Sequence, residues 1–264
     1  MTVTLDELTL DVPLAPEHQW NDNGYLVLPG LLPEELMVAY EAEWEEAHAG
    51  PDWARSRRGG WPDPLPYTRH PALLALCCDA NLARTLEWLI GEPAGLHLNL
   101  TGWVSTERSY HVDSYLNPSY VGDSYAAVWM ALDTIHPDSG PFQCVPGSHR
   151  WPVVTRDKVA PFVDLTDPAW PTHSEAILQP LYEAEIERRG ANVLTYLPER
   201  GDVLIWHPRL VHQGSRPTVP GTQRRAVIGH WSGVTHRPDM PAAVRHGDGW
   251  VFPLAGACPN PEVW

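Results

Sequence analysis

The sequence predicts an α+β protein, mainly β, with a β-sandwich or jelly roll at its centre. Three observations carry this. Helical periodicity is concentrated before Gly95. From Gly95 onward the apolar pattern changes to strand-like alternation. Twenty-eight prolines divide the chain into many short elements. Helices first and many short strands afterwards is the order of an α+β architecture built on a sandwich or barrel.

The elements follow in order. Pro33 to His48 reads as a helix: the proline sits at its start, Glu34 and Glu35 suit the positive N-terminal end, and Leu36, Tyr40, Trp44 and Ala47 recur at helical spacing. Pro71 to Ile90 reads as a second helix, stopped by Gly91. Between them, Gly50 to His70 is rich in Arg, Gly, Pro and Trp and reads as an ordered loop. Leu96 to Trp103 alternates as a strand does. Tyr125 to Asp133 alternates more clearly, with Tyr125, Ala127, Trp129 and Ala131 on one face and Ala126, Val128, Met130 and Leu132 on the other. The second face is uniformly apolar and should pack on helices. The first has small residues flanking one tryptophan, which leaves room for ligands. Asp138 to Arg150 reads as a turn, a short strand and a Pro-Gly turn. Asp202 to Trp206 and Arg224 to Trp231 are further strands, and the segment of about 150–190, with a helix near Glu183 to Arg189, has the length of a lid. One domain is expected over 1–264: a helical part to about residue 94, a β-core over about 95–232, and a C-terminal tail over about 233–264.

Composition narrows the function classes. The net charge of −15 argues against nucleic acid, whose phosphates require Lys and Arg. No apolar run is long enough to span a bilayer, and the acidic N-terminus lacks a signal-peptide pattern. Four cysteines, two of them adjacent (Cys77, Cys78), show no metal-type spacing and point to a reducing cytoplasm. Cys144 reads as a small buried residue.

The candidate chemistry centres on His111-Val112-Asp113 and His212. Residues two apart on a strand share a face, so His111 and Asp113 can offer an imidazole nitrogen and a carboxylate oxygen to one metal ion. A second histidine completes two nitrogens and one oxygen on one side of the ion. This facial arrangement suits non-haem Fe(II), leaving positions for co-substrate and oxygen. Twelve residues beyond His212, Arg224 opens a strand on which Ala226 and Ile228 share its face. A guanidinium inside a mostly apolar cavity needs a partner. The distal carboxylate of a metal-chelating 2-oxo acid would supply it, held by the guanidinium fork.

Several ordered stretches then acquire meaning together: Asn21 to Gly30 with the helix after it, His111 to Asp113, Trp129 to Asp133, Ser139-Gly-Pro through Pro146-Gly-Ser-His149, Gly201 to His212, and Arg224-Arg225. Over about residues 18–232 the chain resembles the phytanoyl-CoA dioxygenase-like family of Fe(II)/2-oxoglutarate oxygenases. The resemblance implies a double-stranded β-helix (a cupin-like jelly roll) with helices packed on one sheet. It implies His111, Asp113 and His212 as iron ligands, Arg224 as the clamp on 2-oxoglutarate, Trp129 beside that co-substrate and Asn99 as a polar contact. Ser215 is a candidate for the serine that the family places near the co-substrate. The spacing from His212 to the arginine is one residue longer than the family's, so Arg225 is the alternative clamp. The implied cofactors are Fe(II), 2-oxoglutarate and O2, the products succinate and CO2, and the outcome hydroxylation of an unactivated C–H bond. The Asp113 carboxylate favours hydroxylation, desaturation or ring formation over halogenation, for which related enzymes replace it with a small residue.

The prime substrate is expected to be a small molecule, a secondary metabolite or an amino-acid derivative. Tyr110, Tyr115, Trp61 and Trp103 can line a pocket, although each reads more readily as a core or loop-anchoring aromatic. Arg55, Arg57, Arg58 and Arg69 read as a solvated loop, and His97, His149, His207 and His230 as hydrogen-bonded structural histidines. Two rival readings remain. A cupin-like metal enzyme that does not use 2-oxoglutarate would have no need of Arg224. A non-catalytic jelly roll would bind metal without turning over 2-oxoglutarate.

Overall fold

The computed structural model describes residues 16–48, 65–105, 107–167 and 169–254. A helical turn at Pro16–His18 and Gln19–Asn23 leads into strand β1 (Tyr25–Leu28) and helix α1 (Glu34–Ala47). Pro33 caps α1, and its buried stripe is Met37, Tyr40 and Trp44. Leu36 and Ala47, expected on that stripe, lie half-buried and exposed. The Gly50 to His70 loop falls mostly outside the described residues, as do Trp61, Arg55, Arg57 and Arg58.

The expected single helix from Pro71 to Ile90 is two: α2 (Pro71–Cys77) and α3 (Ala80–Ile90). The break has a local cause. The Asp79 carboxylate accepts hydrogen bonds from the backbone N–H of Asn81 and Leu82, at 2.9 and 3.2 Å, and so starts a new helix. Gly91, in the left-handed region at φ 84°, ends it as expected.

The β-core follows: β2 (Ala94–Gly102), β3 (Tyr125–Ala131), β4 (Phe142–Cys144), β5 (Leu194–Thr195), β6 (Val203–Trp206), β7 (His212–Gly214) and β8 (Ala226–Gly233). The C-terminal stretch adds β9 (Val244–His246) and β10 (Gly249–Val251), which extend the sheet beyond β2. Seven strands lie in the order β1-β6-β3-β8-β2-β10-β9, and three in the order β5-β4-β7. All pairings are antiparallel except β10 with β2. The two facing sheets form the jelly roll, with helices on the outside of the larger one.

The alternation of β3 divides the core as predicted. Ala126, Val128, Met130 and Leu132 join Met37, Tyr40 and Trp44 of α1 and Leu73, Leu76, Leu82 and Leu86 of α2 and α3. Tyr125, Ala127, Trp129 and Ala131 join Phe142, Cys144, Tyr196, Leu204 and Trp206 between the sheets. The buried thiols of Cys77, Cys78 and Cys144 are free.

The insertion holds a longer helix than the sequence suggests, α4 (Trp170–Arg189) rather than Glu183 to Arg189. Pro171 fits the first turn. Pro180 looks like a breaker in sequence, yet it sits inside the helix, which forgoes one hydrogen bond there. Burial of Trp170, Ser174, Glu175, Leu178 and Tyr182 on one face offsets that loss. Among the described residues, no helix is long and apolar enough to cross a membrane.

Candidate active site

The His111–Asp113 motif begins at the edge of the smaller sheet. His111 forms a single antiparallel bridge with His212, each backbone N–H donating to the other's carbonyl at 3.0 Å. The strand ends there. Asp113 lies in the turn that follows, its carbonyl accepting from Leu116 N–H at 3.1 Å and from Asn117 Nδ2 at 3.0 Å. The two side chains therefore converge at a strand end rather than along a continuous strand.

The bridge sets the imidazole rings 4.2 Å apart, tilted by 52°. Nε2 of His111 lies 3.9 Å from Asp113 Oδ1, and Nε2 of His212 lies 3.8 Å from the same oxygen. Three ligand-type atoms thus lie within 4.8 Å of one another. Each imidazole is oriented from behind: His111 Nδ1 lies 2.7 Å from the Ser109 carbonyl and His212 Nδ1 lies 2.9 Å from that of Leu210. A carbonyl can only accept, so Nδ1 carries the proton and the Nε2 lone pair faces the shared point. Asp113 is oriented in the same way, its Oδ2 accepting from the Trp206 indole N–H at 2.9 Å. Burial pulls both histidines below their ordinary range, His111 further because the nearby Arg108 adds to the effect and His212 less because Asp113 opposes it. The donor set is buried, neutral at its nitrogens and anchored behind each donor, which fits a divalent transition metal with positions left open.

Arg224 lies on the inner side of the same fold. It is 4% exposed, and burial pulls its guanidinium down to about 10. Nη1 donates to the Gly140 carbonyl, and Nε, though buried, has no hydrogen-bond partner among the described residues. Gly140 is itself constrained: its φ is +75°, and a Cβ there would come within 2.4 Å of the Ser215 carbonyl oxygen. A buried cation with an orphaned donor and no carboxylate beside it is costly alone and fits an anionic ligand.

Arg225 has the opposite environment. Its guanidinium pairs with Asp133 at 3.0 Å and Glu41 at 2.9 Å, and stacks over Trp103. It is therefore committed to the helix side. Trp103 is likewise a core aromatic, 5.2 Å from Trp44 edge-to-face.

The other expected contacts divide. Trp129 is on the inner face, opposite Ile228 and Leu204, edge-on to Tyr196 at 5.8 Å. Ser215 lies beside Gly140 and Pro141, its hydroxyl donating to the Pro141 carbonyl at 2.7 Å. Asn99 is a correction. It pairs with Gly229, which in turn pairs with Val128 of the helix-facing set, and its Oδ1 accepts from the Tyr67 backbone N–H at 3.0 Å. Two residues on, Thr101 shares a hydrogen bond with Tyr40 of α1. Asn99 therefore faces the helices and not the chamber, because a bulge between Leu96 and Leu98 resets the alternation of β2.

Sequence reasoning missed four residues of the chamber: Trp206 as the support of Asp113, Tyr125 paired with His230 Nδ1, and Arg108 with Glu175. Trp206 and Tyr125 had a readable signal, since both fall on inward positions of their strands. Glu175 had none, because the two prolines hid the start of α4. Arg108 donates from Nε to Glu175 Oε1 at 2.8 Å. Burial works against its charge, but Glu175 outweighs it and raises the guanidinium above its ordinary value.

The fold has known parallels. The family model for phytanoyl-CoA dioxygenase (PhyH) matches residues 20–226. The chain is 21% identical over 251 residues to the peroxisomal phytanoyl-CoA dioxygenase of Rattus norvegicus, covering 86% of this chain and 70% of that protein. Among solved structures it is similar to the non-heme alpha ketoglutarate dependent epimerase SnoN from nogalamycin biosynthesis, with a TM-score of 0.62 at 18% identity over 92% of this chain and 91% of that one. It is similar to EctD from S. alaskensis, solved with 2-oxoglutarate and 5-hydroxyectoine, with a TM-score of 0.60 at 16% identity over 91% and 82%. It is also similar to the carbocyclase SnoK from nogalamycin biosynthesis, with a TM-score of 0.59 at 20% identity over 84% and 85%. The structural likenesses show the fold, and the match over residues 20–226 shows that the chain belongs to the phytanoyl-CoA dioxygenase (PhyH) family.

Proposed function

We propose that the protein is an Fe(II)/2-oxoglutarate-dependent oxygenase that hydroxylates an unactivated C–H bond of a small molecule, a secondary metabolite or amino-acid derivative. The observation that carries the reading is the pairing of a buried His111–Asp113–His212 donor set with a buried, carboxylate-free Arg224 in one chamber. Either feature alone fits more than one chemistry. Together they meet the two needs of a chelating 2-oxo acid, a metal for its keto and adjacent carboxylate oxygens and a cation for its far carboxylate. The rival cupin-like reading leaves Arg224 without a role, and a non-catalytic metal protein gains nothing from it.

Bound iron with 2-oxoglutarate and O2 supplies oxidative decarboxylation to succinate and CO2, coupled to cleavage of a substrate C–H bond. The protein's part is placement. Ser109 and Leu210 carbonyls hold the tautomers of His111 and His212, and Trp206 turns one Asp113 oxygen away so that the other faces the metal position. Arg224 would fix the far end of the co-substrate, with Trp129 and Ile228 walling it from water. Ala127 and Ala131 keep that wall shallow enough to admit a ligand. Helix α4, tied by Glu175 to Arg108 and by Trp170 to Tyr115 in the turn after Asp113, would serve as the lid.

SnoN is an epimerase and SnoK a carbocyclase, so related frames accommodate outcomes other than hydroxyl delivery. The intact Asp113 supports an oxygenase outcome over halogenation. The test is iron-dependent conversion of 2-oxoglutarate to succinate, with mass analysis of the products from a small-molecule library. Succinate formation that requires iron, His111 and Arg224, with a product one oxygen heavier, is expected. Metal binding without any succinate would overturn the reading.

A further inference from the structure

The chamber has two ends. Along the inner face of β8, Ala226, Ile228, His230 and Ser232 follow Arg224, opposite Ala131, Trp129, Ala127 and Tyr125 of β3. Trp206, which holds Asp113, is paired with Ala127. The donor set therefore sits level with Ala127 and His230, and the space past it runs toward Tyr125, away from Arg224. This far end is polar. The Tyr125 hydroxyl is hydrogen-bonded to His230 Nδ1, and His97 Nε2 lies 3.1 Å from the Ser232 hydroxyl. Arg108, three residues before His111, is joined to Glu175 of α4.

The way this ion pair is made leaves it half used. Arg108 sends both Nε and Nη2 to a single oxygen, Glu175 Oε1. A guanidinium carries five N–H groups in a planar fork. Among the described residues, Nη1 of Arg108 donates to no protein acceptor, and the outer Nη1–Nη2 edge has no carboxylate of its own there. The side chain is 24% exposed. The Arg108 carbonyl accepts from the Gly214 N–H at 2.9 Å, two residues past His212, so Arg108 lies beside the bridge that carries the donor set. Of the other arginines near the site, Arg225 is paired with Glu41 and Asp133, Arg237 donates to the Ser232 hydroxyl but is paired with Asp239, and Arg224 lies at the co-substrate end.

We propose that the outer edge of Arg108 is the anchor for the prime substrate, and that this substrate carries a carboxylate. Two parallel N–H donors 2.7–2.9 Å or so from a pair of oxygens is the geometry that such an edge offers. Glu175 positions the guanidinium through its other edge and ties substrate arrival to α4. The inference rests on the proposed function, since it takes the Arg224 end as filled by 2-oxoglutarate.

The test uses the full chain loaded with redox-inert nickel and saturated with 2-oxoglutarate. Benzoate, 3-phenylpropionate, octanoate and N-benzoylglycine are titrated, each beside its primary amide, and apparent affinity is read from the shift in Tm. At least one acid should bind while its amide does not. In Arg108→Gln that affinity should fall roughly 10- to 100-fold, and in Arg108→Lys by less. In Glu175→Gln, which removes the competing carboxylate charge, the acid should bind at least as tightly as before. If no acid stabilises the loaded protein, if amides bind as well as acids, or if Arg108→Gln binds the acid unchanged, the proposal is overturned. Stabilisation by 2-oxoglutarate itself, measured first, reads the Arg224 end separately. Its absence would count against the proposed function, and its presence without acid binding would count against Arg108 alone.

Discussion

The two faces of the larger sheet are built from the same strands and carry opposite chemistry. Toward the helices, Val128, Met130, Val203, Ile205 and Val227 fill a continuous apolar layer with α1, α2 and α3. Arg225, which reaches this side, is neutralised by Glu41 and Asp133. Toward the smaller sheet, alanines alternate with Trp129 and Tyr125, and the adjacent cation, Arg224, is left without a carboxylate. The helix face spends its residues on packing. The inner face holds polar groups that cost stability until a ligand satisfies them. Neighbouring residues in one chain thus divide between stability and binding, and the difference is one step of strand alternation.

Substitutions can break this contrast in a graded order. Asp113→Ala removes a donor and should abolish turnover, with iron affinity, measured by competition with a chelator, falling by more than about 100-fold. Arg224→Ala should raise the 2-oxoglutarate concentration needed for half-saturation roughly 100-fold or more, since it deletes the buried partner of a carboxylate. Met130→Ala, on the packing face, should cost about 3 kcal/mol in denaturant unfolding while leaving 2-oxoglutarate binding to the folded protein intact. Trp206→Phe keeps an aromatic ring but removes the N–H that turns Asp113 and part of a buried indole, so iron affinity should drop roughly 10- to 100-fold at a stability cost of about 1–2 kcal/mol. Arg225→Ala should do least, about 1 kcal/mol in stability and no change in 2-oxoglutarate requirement. A 2-oxoglutarate defect in Arg225→Ala larger than that in Arg224→Ala would reverse the assignment of the two faces.

Much of this was legible because alternation is a local property. Tyr125 to Leu132 divides into its two faces on sequence alone, and the chamber wall and helix layer both follow from it. The donor set was legible through residue type and order. Where reading failed, a local rule was overridden by something distant or irregular. The resemblance implies Asn99 as a polar contact to the co-substrate, but the bulge between Leu96 and Leu98 turns it toward the helices. The register of Arg224 and Arg225 could not be chosen from spacing, because the loop from His212 to β8 has no period to count along. Their partners decided it: Glu41 comes from α1, far away in sequence. The α2–α3 break was signalled by Asp79, a good N-cap whose weight is seen only once its two N–H partners are in place. The extent of α4 was hidden by Pro180, a residue that costs a helix one bond yet is retained where the buried face compensates.

The most direct measurement is anaerobic titration of the Fe(II)-loaded protein with 2-oxoglutarate, watched for a visible metal-to-ligand charge-transfer band. The account predicts a saturable band in the wild type and in Arg225→Ala, and its loss or steep right-shift in Arg224→Ala. Iron bound at His111, Asp113 and His212 with no band at any 2-oxoglutarate concentration would contradict it, and would leave a jelly roll that shares the family's fold without its co-substrate.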